Sequence, residues 1–188
     1  DAQKLRQEME KIDQFNDSSK GIRVLKAIEV DILEDGALDL PDEVLRDLDI
    51  TVCSVHYHRN MSRREMTERL IRAMDNPYFH ILGHPTGRLL GKREPYEVDM
   101  EKVLEAAQER ECFLELDSQP DRLDLSDVYC KLAKEMGVKI AISTDAHSVA
   151  DLDYLRFGIG QARRGWLEAE DVLNARTWRQ LKKLLQRT

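Results

Sequence analysis

An α/β fold built on a parallel sheet is what this sequence predicts, and three features carry the prediction. Short apolar runs rich in β-branched residues alternate along the chain with segments of helical period. The connections are short, which joins successive parallel strands by right-handed crossovers. The runs are apolar on both faces, as in a sheet covered by helices. With 188 residues, 41% of them hydrophobic, the chain has the length and composition of a single globular domain over 1–188.

The elements follow in order. Leu5, Met9, Ile12 and Phe15 share one face of a helix over 2–15, and turn formers break it at 16–21. A strand is expected over 24–30, then a loop with the Asp35-Gly36 turn pair and a short helix over 41–48 opened by Pro41. A strand over 50–55 leads to a helix over 62–75, where Ser62 and Glu65 form a capping box. Next come a strand over 79–83, a helix over 99–110 capped by Asp99, and a strand over 112–116. Gly137 closes a helix over 126–137, ahead of a strand over 139–144. A short helix near 168–174 and a last one near 177–186, striped by Trp178, Leu181, Leu184 and Leu185, complete the chain. Five strands suffice for an open doubly wound sheet and are too few for a closed barrel.

Other classes fail. Cys53, Cys112 and Cys130 are odd in number and widely spaced, which excludes a disulfide framework or Cys-rich zinc module and favours a reducing compartment. No apolar run reaches the roughly 18 residues of a membrane span, and the charged start is unlike a signal peptide. A cytoplasmic chain is expected. The net charge of −7 argues against a stand-alone nucleic-acid binder. Residues 156–188, however, carry eight basic residues against Glu168, Glu170 and Asp171, a net +5 that leaves −12 for the rest. That tail is either a solvated helix face or an edge that meets phosphate or a partner.

The chemistry gathers at strand ends. Glu29 ends the first strand, His56 follows the second, His84 the third, and Asp145 and His147 the fifth. Parallel α/β folds collect their binding and catalytic groups at carboxyl ends, and imidazole with carboxylate is the ligand set of zinc, manganese or iron. Ala27, Ser54, Ala141 and Ser143 share faces with these residues and leave room for facing strands to converge. His58 lies two residues beyond His56, either an accessory ligand or substrate contact or simply an exposed loop residue. His80, early in its strand, reads as structural. Cys53 alternates with His56 and faces helices.

These residues sit in segments that resemble a known family. AIEVDIL, SVHYHRNMSRREMTERLIRAMDNPY, ILGHPTGRLLGKREPY, QPDRLDL, STDAHS and FGIGQARRGWLEAEDVLN are similar to the C-terminal PHP (polymerase and histidinol phosphatase) domain of bacterial family X DNA polymerases, from about Gly21 to Thr188. The resemblance implies a distorted (βα)7 TIM-like PHP barrel with up to three divalent metals, zinc or manganese, at the carboxyl ends of its strands. By the same resemblance Glu29 is the carboxylate bridging the first two metals. His56 and His84 complete the second site, Asp145 is a ligand of the first, and His147 of the third. The family's opening strand with an HxH pair, and a further histidine-bearing strand, have no counterpart here. The resemblance therefore implies a barrel lacking its first two strands, with about five parallel strands and surrounding helices. One site is then fully liganded, by the two histidines and one glutamate of a three-ligand zinc centre. Two open edges would follow, as in a piece of a longer chain or in a homodimer whose second copy covers the open barrel edge. Two further departures are Ala27 where glycine is usual, and Asp117-Ser118 where Asn-Ala is expected; Asp117 adds negative charge near the metal edge.

The function so implied is metal-dependent phosphoester hydrolysis at DNA 3′ ends, a 3′-5′ exonuclease or end-processing step in DNA repair, with DNA reached through an attached polymerase domain. Arg88 and Arg164 are the candidate phosphate clamps, since guanidinium forks match phosphate oxygens; structural salt bridges are the other reading of both. Two rival functions stand beside this one. A catalytically silent scaffold supporting a polymerase would also keep the fold, and a stand-alone small-molecule phosphatase would share the site.

Overall fold

The structure, a computed structural model, describes residues 2–186; Asp1 and the tail residues Arg187 and Thr188 lie outside them. Five strands form one sheet: β1 (Ala27–Asp31), β2 (Ile50–Ser54), β3 (Ile81–Leu82), β4 (Phe113–Asp117) and β5 (Ile140–Ser143). Their order is sequential and every neighbouring pair is parallel. Right-handed crossovers in sequential order return on the same side, so helices cover one face and the other turns inward, as in an arc of a TIM-like barrel. The doubly wound arrangement, which the strand count also allowed, is not the one adopted.

The helices are α1 (Ala2–Ser18), α2 (Asp42–Leu45), α3 (Arg63–Met74), α4 (Met100–Glu109), α5 (Asp127–Glu135), α6 (Leu155–Arg164) and α7 (Trp178–Leu184), with a 3-10 turn over Val149–Tyr154. Side chains at their starts satisfy orphan amides. Ser62 and Glu65 form the expected capping box, and Asp99 accepts from the amide of Lys102 at 3.4 Å. Ser126 caps α5, and Thr177 with Gln180 forms a second box on α7. Each such cap contributes about 1 kcal/mol.

Two cores result. On the outer face Val30, Cys53, Leu82, Leu114, Leu116 and Ile142 pack with Met66 and Leu70 of α3, Val103 and Leu104 of α4, and Cys130 of α5. On the inner face Ile81, Phe113 and Ala141 pack with Leu181 of α7 and with Leu173 and Leu185, joined by Ile50 and Val52. The inner face is thus apolar toward the strand starts. Toward the strand ends it carries Glu29, Ser54, Glu115, Asp117 and Ser143, and the functional groups collect there.

The C-terminal third departs from expectation. No helix forms near 168–174. Residues 171–173 instead run along β5: the Ile140 amide donates to Asp171 at 2.9 Å and the Leu173 amide to Ile140 at 2.8 Å. Asn174 continues the pairing through its side chain, accepting from Ile142 N at 3.0 Å and donating to Ile142 O at 2.8 Å. The edge of β5, expected to be bare, is covered by its own chain. The helix of this region is α6, whose Gly158 and Gly160 weaken its helical pattern. Gly158 is there for space: a Cβ would overlap Ser118 Oγ and come within 2.8 Å of Ile142 Cγ2. No described helix is long and apolar enough to cross a membrane.

Candidate metal centre

The ends of β1, β2 and β3 bring three side chains to one point. Glu29 lies in β1 opposite Val52 of β2, His56 two residues past β2, and His84 just beyond Gly83. Glu29 Oε1 is 3.1 Å from His84 Nε2 and 3.4 Å from His56 Nε2, and the two Nε2 atoms are 3.3 Å apart. Metal–ligand bonds of about 2.0–2.1 Å meeting near the tetrahedral angle set ligand atoms about 3.3 Å apart. The triangle fits a divalent cation in both size and donor type. Among the described residues these three form the group of potential ligands that converge so closely.

The surroundings prepare the donors. His56 Nδ1 is hydrogen-bonded to Asp31 Oδ1. Donation from Nδ1–H leaves the lone pair of Nε2 facing the cluster, as a carboxylate partner does for a ligating histidine. Hydrogen bonds from His56 and then His84 hold the Glu29 carboxyl far below the usual carboxylate range, against the opposing effect of burial. Glu29 and, less strongly, Asp31 raise the His56 imidazole. Three electron-rich atoms this close require a proton or a cation among them.

His84 is held by a carboxyl outside the candidates that the sequence pattern singles out. Its backbone adopts a left-handed φ of 26°, and its amide donates to Glu115 Oε2 at 2.6 Å. Glu115 Oε1 accepts from Ser143 Oγ at 2.6 Å, so one buried carboxyl straps the end of β3 to β5. Burial pushes its pKa up to about 7. The period-two pattern of CFLELD puts Glu115 on the same face as Asp117, a signal that was available; so was the i, i+2 relation between Glu29 and Asp31. Gly83 permits the close approach, since a Cβ there would overlap Ser54 Oγ.

The remaining candidates lie elsewhere. Asp145 has a positive φ of 44°, and its carbonyl accepts from Gln119 Nε2 at 2.9 Å. His147 is exposed, with Nδ1 2.8 Å from the Asp145 carbonyl oxygen. Both stand outside the Glu29–His56–His84 group. Asp117 is fully buried, paired with Arg122 Nε at 3.1 Å, and burial raises its pKa to about 6. His58 is exposed and 3.5 Å from Glu34. Arg88 is committed to the backbone: Nε donates to the Arg122 carbonyl at 3.0 Å and Nη2 to that of Leu123. Arg164 holds Asp127 through Nε and Nη2 at 3.0 and 2.8 Å. Both arginines therefore have structural partners. His80 is buried, with Nδ1 accepting from the Thr51 amide at 3.1 Å, and it ties β2 to the start of β3.

Fold and donor set together define an arc of a parallel α/β barrel with a metal-type site at its carboxyl edge. The chain is similar to the DNA polymerase/3′-5′ exonuclease PolX of Bacillus subtilis, 40% identical over 186 residues, or 99% of this chain and 33% of that protein. It is also similar to a probable phosphatase of a Thermoanaerobacter species, 34% identical over 165 residues, 82% of this chain and 65% of the other. A probable phosphatase of Caldanaerobacter subterraneus is 35% identical over 143 residues, 71% of this chain and 54% of the other. No family model matches the chain. It spans a third of PolX and less than two thirds of these phosphatases. The likeness to PolX along nearly the whole chain agrees with the resemblance that its motifs carry.

Proposed function

We propose that residues 1–188 act as a single PHP-type metallophosphoesterase domain that hydrolyses phosphodiesters at DNA 3′ ends, in the manner of a 3′-5′ exonuclease. The observation that carries this reading is the triangle of Glu29, His56 and His84 at the carboxyl ends of three adjacent strands. These residues would hold the cation, zinc or manganese, with Asp145 and His147 as ligands of further ions. A cation held there supplies Lewis acidity to a phosphoryl oxygen and to the attacking water. Asp31 keeps His56 in the ligating tautomer, Glu115 fixes the backbone of His84, and the cleft beside His56 admits substrate. DNA would be reached through a polymerase domain on the same protein, in keeping with the name of the PolX relative.

The test is release of the 3′-terminal nucleotide from a single-stranded oligonucleotide in manganese or zinc. Turnover should fall at least about 1000-fold in His84→Ala, as loss of several kcal/mol of charge stabilisation requires. Turnover that survives the substitution sinks the assignment. Because several relatives are named probable phosphatases, a phosphomonoester is run alongside; cleavage of it with DNA spared selects the small-molecule reading. Failure with both substrates and both metals selects the scaffold.

A further inference from the structure

A cavity of about 790 Å³ opens directly beside the cluster, with His56 in its wall. Two guanidinium groups line it, Arg59 and Arg93. Arg59 is half-buried and has no hydrogen bond or ion pair among the described residues. Arg93 donates from Nε to the Gly87 carbonyl at 2.8 Å, and its Nη groups have no hydrogen bond or ion pair among those residues. Two carboxylates, Glu34 and Glu94, line the same cavity, and neither forms an ion pair with these arginines among the described residues. Glu34 is exposed and lies 3.5 Å from His58, and Glu94 is exposed. Burial, followed by the charges of Arg59 and Arg122, pushes the Arg93 guanidinium down, so like charges here are held together against their repulsion.

Two guanidinium forks without ion-pair partners among the described residues, set in a concave wall, are a receptor for phosphate oxygens. We propose that Arg59, seconded by Arg93, forms an anion subsite that holds a second phosphate of a nucleic-acid strand while the neighbouring phosphodiester lies at the Glu29–His56–His84 cluster. The subsite rests on the phosphoesterase reading and narrows it. A strand gains from Arg59, whereas an ester with one phosphate does not. Arg59 follows His56 by three residues, and the positive φ of His58, 50°, turns the intervening chain. Arg59 and the cluster residue His56 are thus carried by one loop.

Binding separates this proposal from the function it rests on. Fluorescence anisotropy of a labelled ten-residue oligothymidylate is measured against the 188-residue chain in chelator, where no hydrolysis occurs. Arg59→Gln should weaken binding about tenfold, the 1.4 kcal/mol of one lost phosphate contact. It should also lower the slope of log affinity against log salt by about 0.7. Arg59→Lys should retain the slope, and equal thermal midpoints check folding. An unchanged slope in Arg59→Gln overturns the subsite, whether or not the chain hydrolyses anything. With manganese, the ratio of kcat/KM for 5′-phosphorylated dithymidylate to that for thymidine 5′-(4-nitrophenyl phosphate) should drop about tenfold in Arg59→Gln. A ratio equal to wild type places Arg59 off the substrate path. Wild type inactive on both esters removes the proposed function, and the salt slope still decides the subsite.

Discussion

Arg69 Nη1 lies 3.1 Å from the backbone carbonyl oxygen of His58, beneath the loop that carries His56 and Arg59. The same guanidinium donates to the carbonyls of Tyr57 at 3.2 Å, Leu33 at 2.9 Å and Ile32. Arg69 is 1% exposed, and burial pushes its pKa down, yet no carboxylate is within ion-pair distance among the described residues. Backbone carbonyls take most of its donors, and the more distant charges of Glu34, Asp31 and Asp35 favour its charged form. The residue joins the loop after β1 to the loop after β2, so the metal edge hangs on a helix side chain from α3. Arg69→Met removes the donor from the Ile32, Tyr57 and His58 carbonyls. At about 1–3 kcal/mol for each orphaned group, the expected loss is about 3 kcal/mol, or on the order of 10 °C in the thermal midpoint. Arg69→Lys should not restore it, because an ammonium cannot fork to both loops. Calorimetry decides; a loss below about 1 kcal/mol would show that the loops stand without the fork.

Asp31 touches the cluster only through His56, so its removal tests positioning apart from ligation. Asp31→Ala frees the imidazole to rotate and to carry its proton on Nε2. Metal affinity, read by titration calorimetry with manganese or zinc, should fall about 10- to 100-fold with one site retained. His84→Ala should instead abolish that site. Equal affinities in Asp31→Ala and wild type would mean that packing alone orients the ring.

Glu115 makes the metal-free protein sensitive to pH in a defined direction. Its folded pKa of about 7 lies above the unfolded carboxyl value, so the native state binds more protons through that interval. Stability from this group is therefore full below about pH 4.5 and declines as pH rises toward 7. The span corresponds to a change on the order of 3 kcal/mol. In the protonated form the oxygen facing Ser143 becomes a donor and the hydroxyl accepts, which an amide reproduces. Glu115→Gln should flatten the slope between pH 4.5 and 7 in urea unfolding with chelator present. A slope identical to wild type would place the titration elsewhere.

Much of this was legible in the sequence, and the failures have causes. The three helices α3, α4 and α5 were found almost to the residue, because caps and apolar periods agree there. The strands shifted by one to three residues, since short apolar runs fix existence better than register. α6 escaped notice because Gly158 and Gly160 obscure a helical period; Gly158 is dictated by contact with Ser118 and Ile142, which are distant in sequence. The 171–173 segment pairs with β5 through two backbone bonds and an asparagine side chain, and no periodic pattern announces such a strand substitute. Glu29, His56 and His84 were readable because each lies within two residues of the carboxyl end of a strand. Arg69 and Arg59 were not, because burial on backbone carbonyls and lack of a partner are properties of three-dimensional neighbours.

The close convergence of strands beneath the cluster rests on Gly83, and this sets the last expectation. A Cβ at Gly83 would overlap Ser54 Oγ, approach Val52 Cγ1 to 2.8 Å and Glu115 Oε2 to 3.5 Å. Its backbone φ is unexceptional, so the requirement is for space rather than for a left-handed turn. Gly83→Ala must therefore push β2 and β3 apart or force Ser54 and Val52 off their rotamers, a cost of about 1–3 kcal/mol. Adding Ser54→Ala removes the worse of the two overlaps and leaves the Val52 contact, so part of the loss should return. The two substitutions should then be non-additive by about 0.5 kcal/mol or more, as contacting residues are. Because His84 follows directly, the same displacement should open the His84–Glu29 separation of 3.1 Å and weaken metal binding in Gly83→Ala more than its stability loss alone would. Additive stabilities in the double-mutant cycle would show that Ser54 is not what Gly83 makes room for.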